Sequence, residues 1–326
     1  MALSNKEEAT DVNNADDKEE ESKAEVGVNP QDVLDDIVKR GTAAIQEMRD
    51  QILKYPPSVD AFLETANTPK NRFPNVLLYD SSRVKIKDKL GSDYYHASFV
   101  DSFDKADGYI LAQAPFDEAT ETDFWRMAYQ QRPTLIVLLT ALVSAGGKRL
   151  CKNFWPSLAK QEREYAQGSL RVRCQAMDQD RQFDTFDITI TSAARTKQSV
   201  RTQLLQFHKW VEDREIPDNL LEFRALLKIA MARAEKEERN EGPIIFICPS
   251  GVHRCGTVAA LDIVMDRLTI EKKGIVGLLD TINVVRRQRY GCFTHFDHYS
   301  HVADLIVRHA VSSGLADPNC IGVRKR

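Results

Sequence analysis

The sequence predicts an α/β fold in which a mixed β-sheet is covered by helices. Residues 134–140 form a continuous apolar run of strand length, which is typical of a strand buried on both faces. Residues 170–176 and 186–191 alternate between apolar and polar side chains, as half-buried strands do. Apolar residues recur at helical spacing elsewhere, and we expect helices at 33–53, 120–130, 219–238, 254–268, 274–287 and 295–311.

The most informative segment is a loop that begins with a cysteine and ends, six positions later, with an arginine. It follows a short apolar strand expected at 244–247, precedes the helix expected at 254–268, and reads Cys248-Pro249-Ser250-Gly251-Val252-His253-Arg254. A loop between a strand and a helix gathers backbone N–H groups at the positive end of the helix, where a phosphate dianion is stabilised. The same field favours the thiolate form of a cysteine.

These residues predict attack of the Cys248 sulfur on a phosphate ester that is held by the rest of the loop. The phosphate-binding residues are expected to be Ser250, Gly251, Val252, His253 and Arg254. A cysteine and an arginine at this spacing are a weak signal alone, and the strand before and the helix after are what strengthen it.

Length and charge limit the class of protein. The chain has 326 residues, of which 42% are hydrophobic, which is enough for one large domain or two ordinary ones. The net charge of −3 gives no overall field of the kind that attracts nucleic acid or a membrane surface. Residues 1–30 are strongly acidic and poor in apolar residues, and we expect a disordered leader there.

The cysteine spacing and the apolar runs argue against a zinc site, a signal peptide and a membrane span. Six cysteines are scattered without the paired spacing of a zinc site, so we expect no metal and no cofactor. The start of the chain is polar and lacks the apolar stretch of a signal peptide, and the apolar run at 135–143 is too short to span a bilayer. We therefore expect a reducing cytoplasmic setting, with the nucleus as an alternative, in which Cys248 stays a thiol.

Several further motifs stand in a fixed order around this loop. They are Lys70-Asn71-Arg72-Phe73, Asp93-Tyr94-Tyr95-His96-Ala97-Ser98, Tyr109-Ile110-Leu111-Ala112-Gln113-Ala114-Pro115, Asp123-Phe124-Trp125-Arg126-Met127, Phe154-Trp155-Pro156, Gln206-Phe207-His208-Lys209-Trp210 and Arg286-Arg287-Gln288-Arg289-Tyr290-Gly291. With them the chain resembles the protein-tyrosine-phosphatase domain family, of the non-receptor type, over roughly residues 55 to 310. The resemblance implies one α/β domain with a twisted, mixed central sheet at 55–312. An N-terminal helix at 31–54 would precede it, and a tail at 313–326 would follow.

The resemblance also implies roles for individual residues. Cys248 would be the nucleophile that forms a cysteinyl-phosphate, and Arg254 would clamp two phosphate oxygens. Glu212, or its neighbour Asp213, falls where the family carries its general acid. The phosphotyrosine pocket would include Phe73, Asn75, Thr294 and His298. A phosphotyrosine-containing protein is the implied partner.

The loop departs from the family pattern at four positions. Ile247 replaces a histidine before the cysteine, and Pro249 replaces a residue whose N–H faces the phosphate. His253 replaces a glycine. Cys255, a weak donor, replaces a hydroxyl residue after the arginine.

Outside the loop, other supporting positions depart as well. Glu212 is one methylene longer than the family aspartate, and Asp213 lies one residue late. The family's glutamate partner of the clamp arginine falls at Ala145 and its lysine at Leu150. Its two glutamines fall at Thr294 and His298, its tyrosine at Phe73 and its aspartate at Asn75.

Two main interpretations remain open at this point. In the favoured one the protein recognises phosphotyrosine while catalysis is weak or lost, as in a pseudophosphatase. In the alternative it is an active phosphatase that works at a reduced rate through a cysteinyl-phosphate. A third interpretation, a purely structural domain with an empty pocket, is disfavoured by the retained Cys248 and Arg254.

Overall fold

A computed structural model describes residues 30–144, 146–179, 183–195, 198–210, 216–271, 277–294 and 296–315. Within them, one sheet of nine strands runs in the order β1-β2-β3-β9-β4-β8-β7-β6-β5. The strands are β1 (Arg83–Lys85), β2 (Tyr94–Val100), β3 (Tyr109–Gln113), β4 (Leu135–Leu138), β5 (Glu162–Tyr165), β6 (Leu170–Gln179), β7 (Phe183–Ser192), β8 (Ser199–Phe207) and β9 (Ile244–Cys248). The four central strands pair in parallel, and the outer pairs are antiparallel.

Helices cover both faces of the sheet. They are α1 (Pro30–Lys54), α2 (Asp60–Leu63), α3 (Glu118–Gln131), α4 (Leu220–Lys236), α5 (His253–Asp266), α6 (Leu278–Gln288) and α7 (Phe296–Ser312). One large core packs α4, α5, α6 and α7 against the sheet, and a second core packs α3 against the other face. The expected mixed sheet flanked by helices is therefore confirmed.

The central strand β9 carries the site. Its five residues are all buried, because β3 lies on one side of it and β4 on the other. Side chains alternate between the two faces of a strand, so Phe246 and Cys248 enter the core under α5, whereas Ile245 and Ile247 enter the core under α3. The Cys248 sulfur therefore lies on the same side of the sheet as the start of α5, the helix that follows the loop.

Element boundaries differ from the expected ones by a few residues. The buried run expected at 134–140 forms β4 at Leu135–Leu138, and the helix expected at 219–238 forms α4 at Leu220–Lys236. Two expected segments are only partly described. The first residues of the helix expected at 274–287 and nearly all of the acidic leader at 1–30 lie outside the described residues.

Candidate functional site

The loop after β9 begins with a tight turn around Pro249. The carbonyl oxygen of Cys248 accepts a hydrogen bond of 3.1 Å from the N–H of Gly251 and one of 2.9 Å from the N–H of Ala114. Proline suits the second position of such a turn because its φ is already fixed near the required value. Cys248 itself is only 1% exposed, and its Sγ lies 3.9 Å from the Oγ of Ser250.

Gly251 is required by the path of this loop. Its φ of +69° lies in the left-handed region, where a side chain is disfavoured. An added Cβ would also lie 2.3 Å from the carbonyl carbon of Ala112 in β3. The loop therefore rests directly on the backbone of the neighbouring strand, which fixes its distance from the sheet.

The buried residue Arg289 supports the loop, a role that the sequence does not predict. It follows α6, it is completely buried, and it donates to the carbonyl oxygens of Gly251 at 3.0 Å and Ser250 at 3.3 Å. It also donates to the Oγ of Ser98 at 3.2 Å. Because Arg289 binds the loop carbonyls from outside, they are kept away from the centre of the cradle, where they would repel an anion.

His96 completes the support of Arg289. Burial, together with the adjacent Arg289 charge, lowers the pKa of His96 to about 3, so its ring is neutral. Its Nδ1 lies 3.0 Å from the guanidinium and accepts from it, since a guanidinium has no acceptor. Its Nε2 therefore carries the proton and donates to the carbonyl of Val76 at 2.9 Å.

Arg254 lies in the first turn of α5 and is almost completely buried. Its Nη1 donates to the carbonyl oxygens of Leu139 at 3.1 Å and Trp210 at 3.0 Å, and the guanidinium lies 5.9 Å from the centre of the Trp210 ring. These two carbonyl acceptors orient the guanidinium. Val252 precedes the helix and offers no side-chain cap, so the helix N-terminus opens toward the loop.

Three further thiols surround Cys248. Cys255, one position beyond Arg254, is fully buried, and burial, followed by the influence of the Cys248 thiol, raises its pKa well above the ordinary range. Cys292 donates to the carbonyl of Val252 at 3.5 Å, and burial raises its pKa to about 12. Burial likewise raises the pKa of Cys151 to about 12. All three interact electrostatically with Cys248.

The segment that carries Phe73 is tied to the same strands as the loop. The side chain of Gln113, at the end of β3, accepts from the N–H of Arg72 at 3.2 Å and donates to the carbonyl of Lys70 at 2.6 Å. Phe73 is half-buried and lies 5.4 Å under the Arg72 guanidinium, while Asn75 is exposed in the turn that follows. Phe73 is thus held on a fixed segment, and Asn75 is open to a ligand.

The remaining expected pocket residues occupy different environments. Thr294 is exposed and lines a cavity of about 360 Å³ together with Arg49 of α1 and Tyr290. His298 is completely buried, and its ring packs edge-on against the half-buried ring of His253 at a centroid distance of 5.9 Å. His253 therefore contacts α7.

Some expected positions lie outside the described residues, namely Glu212, Asp213 and Ala145. Leu150 is described: its carbonyl accepts from the Arg72 guanidinium at 2.8 Å. Within the described part of the chain, no group of three or more His, Cys, Asp or Glu side chains is arranged to hold a metal ion. No helix among the same residues has both the length and the apolar content needed to cross a bilayer.

The comparison with protein families agrees with this geometry. The family described as Protein-tyrosine phosphatase matches residues 67–308, which is most of the chain and includes β1 to β9 with the Cys248 loop. The chain therefore belongs to the protein-tyrosine-phosphatase family.

Curated relatives give the same result. The chain is 28% identical over 282 residues to receptor-type tyrosine-protein phosphatase zeta of Rattus norvegicus, covering 84% of this chain and 12% of that protein. It is 31% identical over 229 residues to receptor-type tyrosine-protein phosphatase alpha of Mus musculus, covering 69% of this chain and 26% of that protein. It is 32% identical over 246 residues to receptor-type tyrosine-protein phosphatase F of Danio rerio, covering 72% and 12% respectively. The chain spans about a quarter or less of the length of these relatives.

Proposed function

We propose that this protein recognises phosphotyrosine on other proteins and turns it over weakly or not at all, as a pseudophosphatase does. The observation that carries this proposal is the turn at Pro249. Proline has no N–H to offer a phosphate oxygen, and the N–H of Gly251 is directed to the carbonyl of Cys248 at 3.1 Å. Two backbone positions of the loop therefore do not donate to a bound anion in this conformation.

The loss of these two backbone N–H donors slows catalysis more than it weakens binding. Phosphoryl transfer depends on donors that are aimed at charge in the transition state, and removing one such donor costs about 10²–10³-fold in rate. Cys255 adds to the effect, because a thiol is a weaker donor to the Cys248 sulfur than the hydroxyl that the family pattern has there. Further changes weaken the two chemical steps. The proposed general acid is Glu212 or Asp213, and Thr294 and His298 stand at the family's glutamine positions.

Binding is supported by the groups that remain. Arg254 is oriented by two carbonyls and retains a planar fork that suits two phosphate oxygens. The start of α5 supplies N–H groups at Val252 and His253 beside Ser250. Phe73 offers an aromatic face for the substrate ring, and Asn75 is exposed beside it.

The retained pair of Cys248 and Arg254 favours a second function, that of an active phosphatase with a reduced rate. Both side chains are buried at the same end of the sheet, one at the end of β9 and the other in the first turn of α5. In that case Cys248 would form a cysteinyl-phosphate, and slow hydrolysis of this intermediate would limit the rate.

We also propose a non-receptor type of protein that works in the cytoplasm, or alternatively in the nucleus. Its support is the cysteine usage: all five cysteines of the described chain are free thiols, as expected in a reducing compartment. The relatives named above are receptor-type proteins, so this assignment rests on the chain itself.

Binding and turnover are separated by two assays on the full chain. Calorimetry with a phosphotyrosine peptide is expected to give binding that Arg254→Ala removes and that Arg233→Ala, an exposed arginine on α4, leaves unchanged. Hydrolysis of an aryl phosphate at mildly acidic and neutral pH is expected to be absent or very slow. Rapid turnover that Cys248→Ser abolishes would establish the active phosphatase instead, and binding that is equal in wild type and Arg254→Ala would refute phosphotyrosine recognition by this loop.

A further inference from the structure

We propose that the acidic leader of this chain binds in a basic groove at the C-terminal end of α3. The groove lies away from the Cys248 loop, so this interaction is separate from phosphotyrosine recognition and does not rest on it. Its basis is the positive charge of the groove, the negative charge of the leader and the place where α1 begins.

The groove is a cavity of about 780 Å³ between three parts of the fold. Residues 87–90 form one wall, the end of α3 with Arg132 forms the second, and the start of β6 with the helical turn at Ala193–Arg195 forms the third. The side chain of Gln130 accepts from the N–H of Lys87 at 2.6 Å, which ties the first wall to the second. Cavities that bind ligands have volumes of about 300–1,000 Å³, so a short stretch of extended chain can occupy this one.

The lining of the groove carries four cations and one acid. The acid, Asp88, is already paired, because its carboxylate oxygens accept from the Arg126 guanidinium at 2.5 and 3.0 Å. None of the four cations forms an ion pair with another residue of the described chain. The groove therefore presents an excess of positive charge to solvent and attracts an anionic ligand. These cations are the exposed side chains of Lys87, Lys89, Arg132 and Arg195.

The groove and the Cys248 loop lie at opposite ends of the sheet. Strands β4, β8 and β9 are parallel, so all three begin at one end of the sheet and finish at the other. Arg132 precedes β4 and Arg195 precedes β8, whereas Cys248 is the last residue of β9. A segment bound in the groove therefore leaves the Cys248 loop open to phosphotyrosine.

The leader has the charge that complements this groove. Residues 1–30 contain nine acids and three lysines, and five of the acids fall within residues 16–21. The leader has too few apolar residues to form a core of its own, so it is expected to bind as an extended chain through its carboxylates. Because the leader is part of the same chain, it meets the groove at an effective concentration of about 1 mM, which favours it over a separate acidic protein.

The leader can also reach the groove. The end of α1 and the start of α7 both lie beside the cavity that Thr294 lines, and the two helices pack together. The start of α1 at Pro30 therefore lies toward the far end of α7, away from the Cys248 loop. Asp16 is 14 positions before Pro30, and an extended chain of that length covers about 48 Å. This is comparable to the diameter of a domain of this size, about 46 Å.

Zero-length cross-linking tests the contact in the full chain. A carbodiimide joins a carboxylate directly to an amine that touches it, and tryptic mapping then identifies the two partners. At low salt we expect links from the acids of residues 7–25 to Lys87 or Lys89, and far fewer links to Lys236, an exposed lysine on α4. The links should disappear in 1 M salt, where the screening length falls to about 3 Å.

A competition assay measures how fully the leader occupies the groove. The probe is a fluorescein-labelled peptide of residues 5–25, and its binding is followed by anisotropy. The chain with a neutralised leader is expected to bind this probe about tenfold more tightly than wild type, because its groove is free. Lys87→Glu combined with Lys89→Glu should remove that gain, whereas Lys236→Glu should leave it unchanged. The neutralised leader carries Asp16→Asn, Asp17→Asn, Glu19→Gln, Glu20→Gln and Glu21→Gln.

Two controls separate this interaction from its alternatives. In a mixture of unlabelled and ¹⁵N-labelled chains, cross-links within one chain join peptides of the same label, and we expect only these. Affinity for a phosphotyrosine peptide is expected to be equal in wild type and in Lys87→Glu with Lys89→Glu. A failure of phosphotyrosine recognition is therefore read separately from a failure of leader binding.

Three results would overturn the inference. One is equal affinity of the leader peptide for wild type and for the chain with the neutralised leader, with circular dichroism showing both to be folded. Another is carbodiimide links that reach Lys236 as often as Lys87 and Lys89. The third is a link that joins peptides of different label, because the leader would then bind a second copy of the chain.

Discussion

Replacing Pro249 by serine restores the backbone N–H that the proposed function identifies as missing. In the structure, the carbonyl of Cys248 is directed to the N–H groups of Ala114 and Gly251, so an N–H at position 249, which is trans to that carbonyl, points away from them. The N–H added by Pro249→Ser is therefore expected to donate to a phosphate oxygen bound between the loop and Arg254.

The expected gain follows from the strength of one charge-assisted hydrogen bond. Such a bond contributes about 1.5–3 kcal/mol, and about 1.4 kcal/mol corresponds to a tenfold change in the dissociation constant. Replacing proline also frees the unfolded chain, which lowers folding stability by about 0.4–1 kcal/mol without acting on affinity. We therefore expect Pro249→Ser to bind a phosphotyrosine peptide at least about tenfold more tightly.

Isothermal titration of wild type and Pro249→Ser with the same phosphotyrosine peptide measures this gain. The matched control places the substitution in an Arg254→Ala protein, where loss of the clamp should remove the gain along with the binding. An unchanged or weaker affinity in a folded Pro249→Ser protein would refute the account of the turn, because the added donor would then not reach the phosphate.

Two further predictions concern stability. Gly251→Ala is expected to lower the free energy of unfolding by more than about 2 kcal/mol, because it adds backbone strain and a Cβ 2.3 Å from the Ala112 carbonyl carbon. Gly147→Ala, at a φ of +78° with open space around it, should cost only the strain, so equal losses in denaturant titrations would contradict the role of the Ala112 contact. Buried His96 has its pKa lowered from 6.5 to about 3, so the unfolded chain binds its proton first as the pH falls. The free energy of unfolding should then fall by up to about 1.4 kcal/mol per pH unit between pH 6 and 5. His96→Asn should show a shallower slope, and identical slopes would mean that His96 is not held neutral.

The buried centre of the fold could be predicted from the sequence because its strands are continuously apolar. Residues 244–247 and 134–140 contain almost no polar side chains, and both form parallel strands that are covered on both faces. By contrast, β8 (Ser199–Phe207) mixes charged, polar and apolar residues, and its periodicity alone did not mark it as a strand. It is a strand because β4 and β7 pair with it on either side, and sequence pattern does not contain that information.

Part of the candidate site could likewise be predicted from the sequence, and part of it could not. The cysteine, the glycine and the arginine of the loop are close in sequence, so their spacing between a strand and a helix was enough to predict a phosphate cradle. Arg289 lies 38 positions along the chain from Gly251, and His96 lies 193 positions from Arg289. Only the folded chain therefore reveals that these two residues support the loop. The direction of the Gly251 N–H toward the Cys248 carbonyl is likewise a property of the folded turn.

A crystal structure of the protein with tungstate, a tetrahedral stand-in for phosphate, tests the central claim most directly. We expect one anion above the Cys248 sulfur, in contact with the Arg254 guanidinium and the N–H groups at the start of α5. Pro249 should make no contact with it, and the Gly251 N–H should remain on the Cys248 carbonyl. An empty loop at saturating tungstate, or an anion seated elsewhere, would contradict phosphate recognition by this cradle, and a Gly251 N–H turned onto the anion would contradict the missing donor.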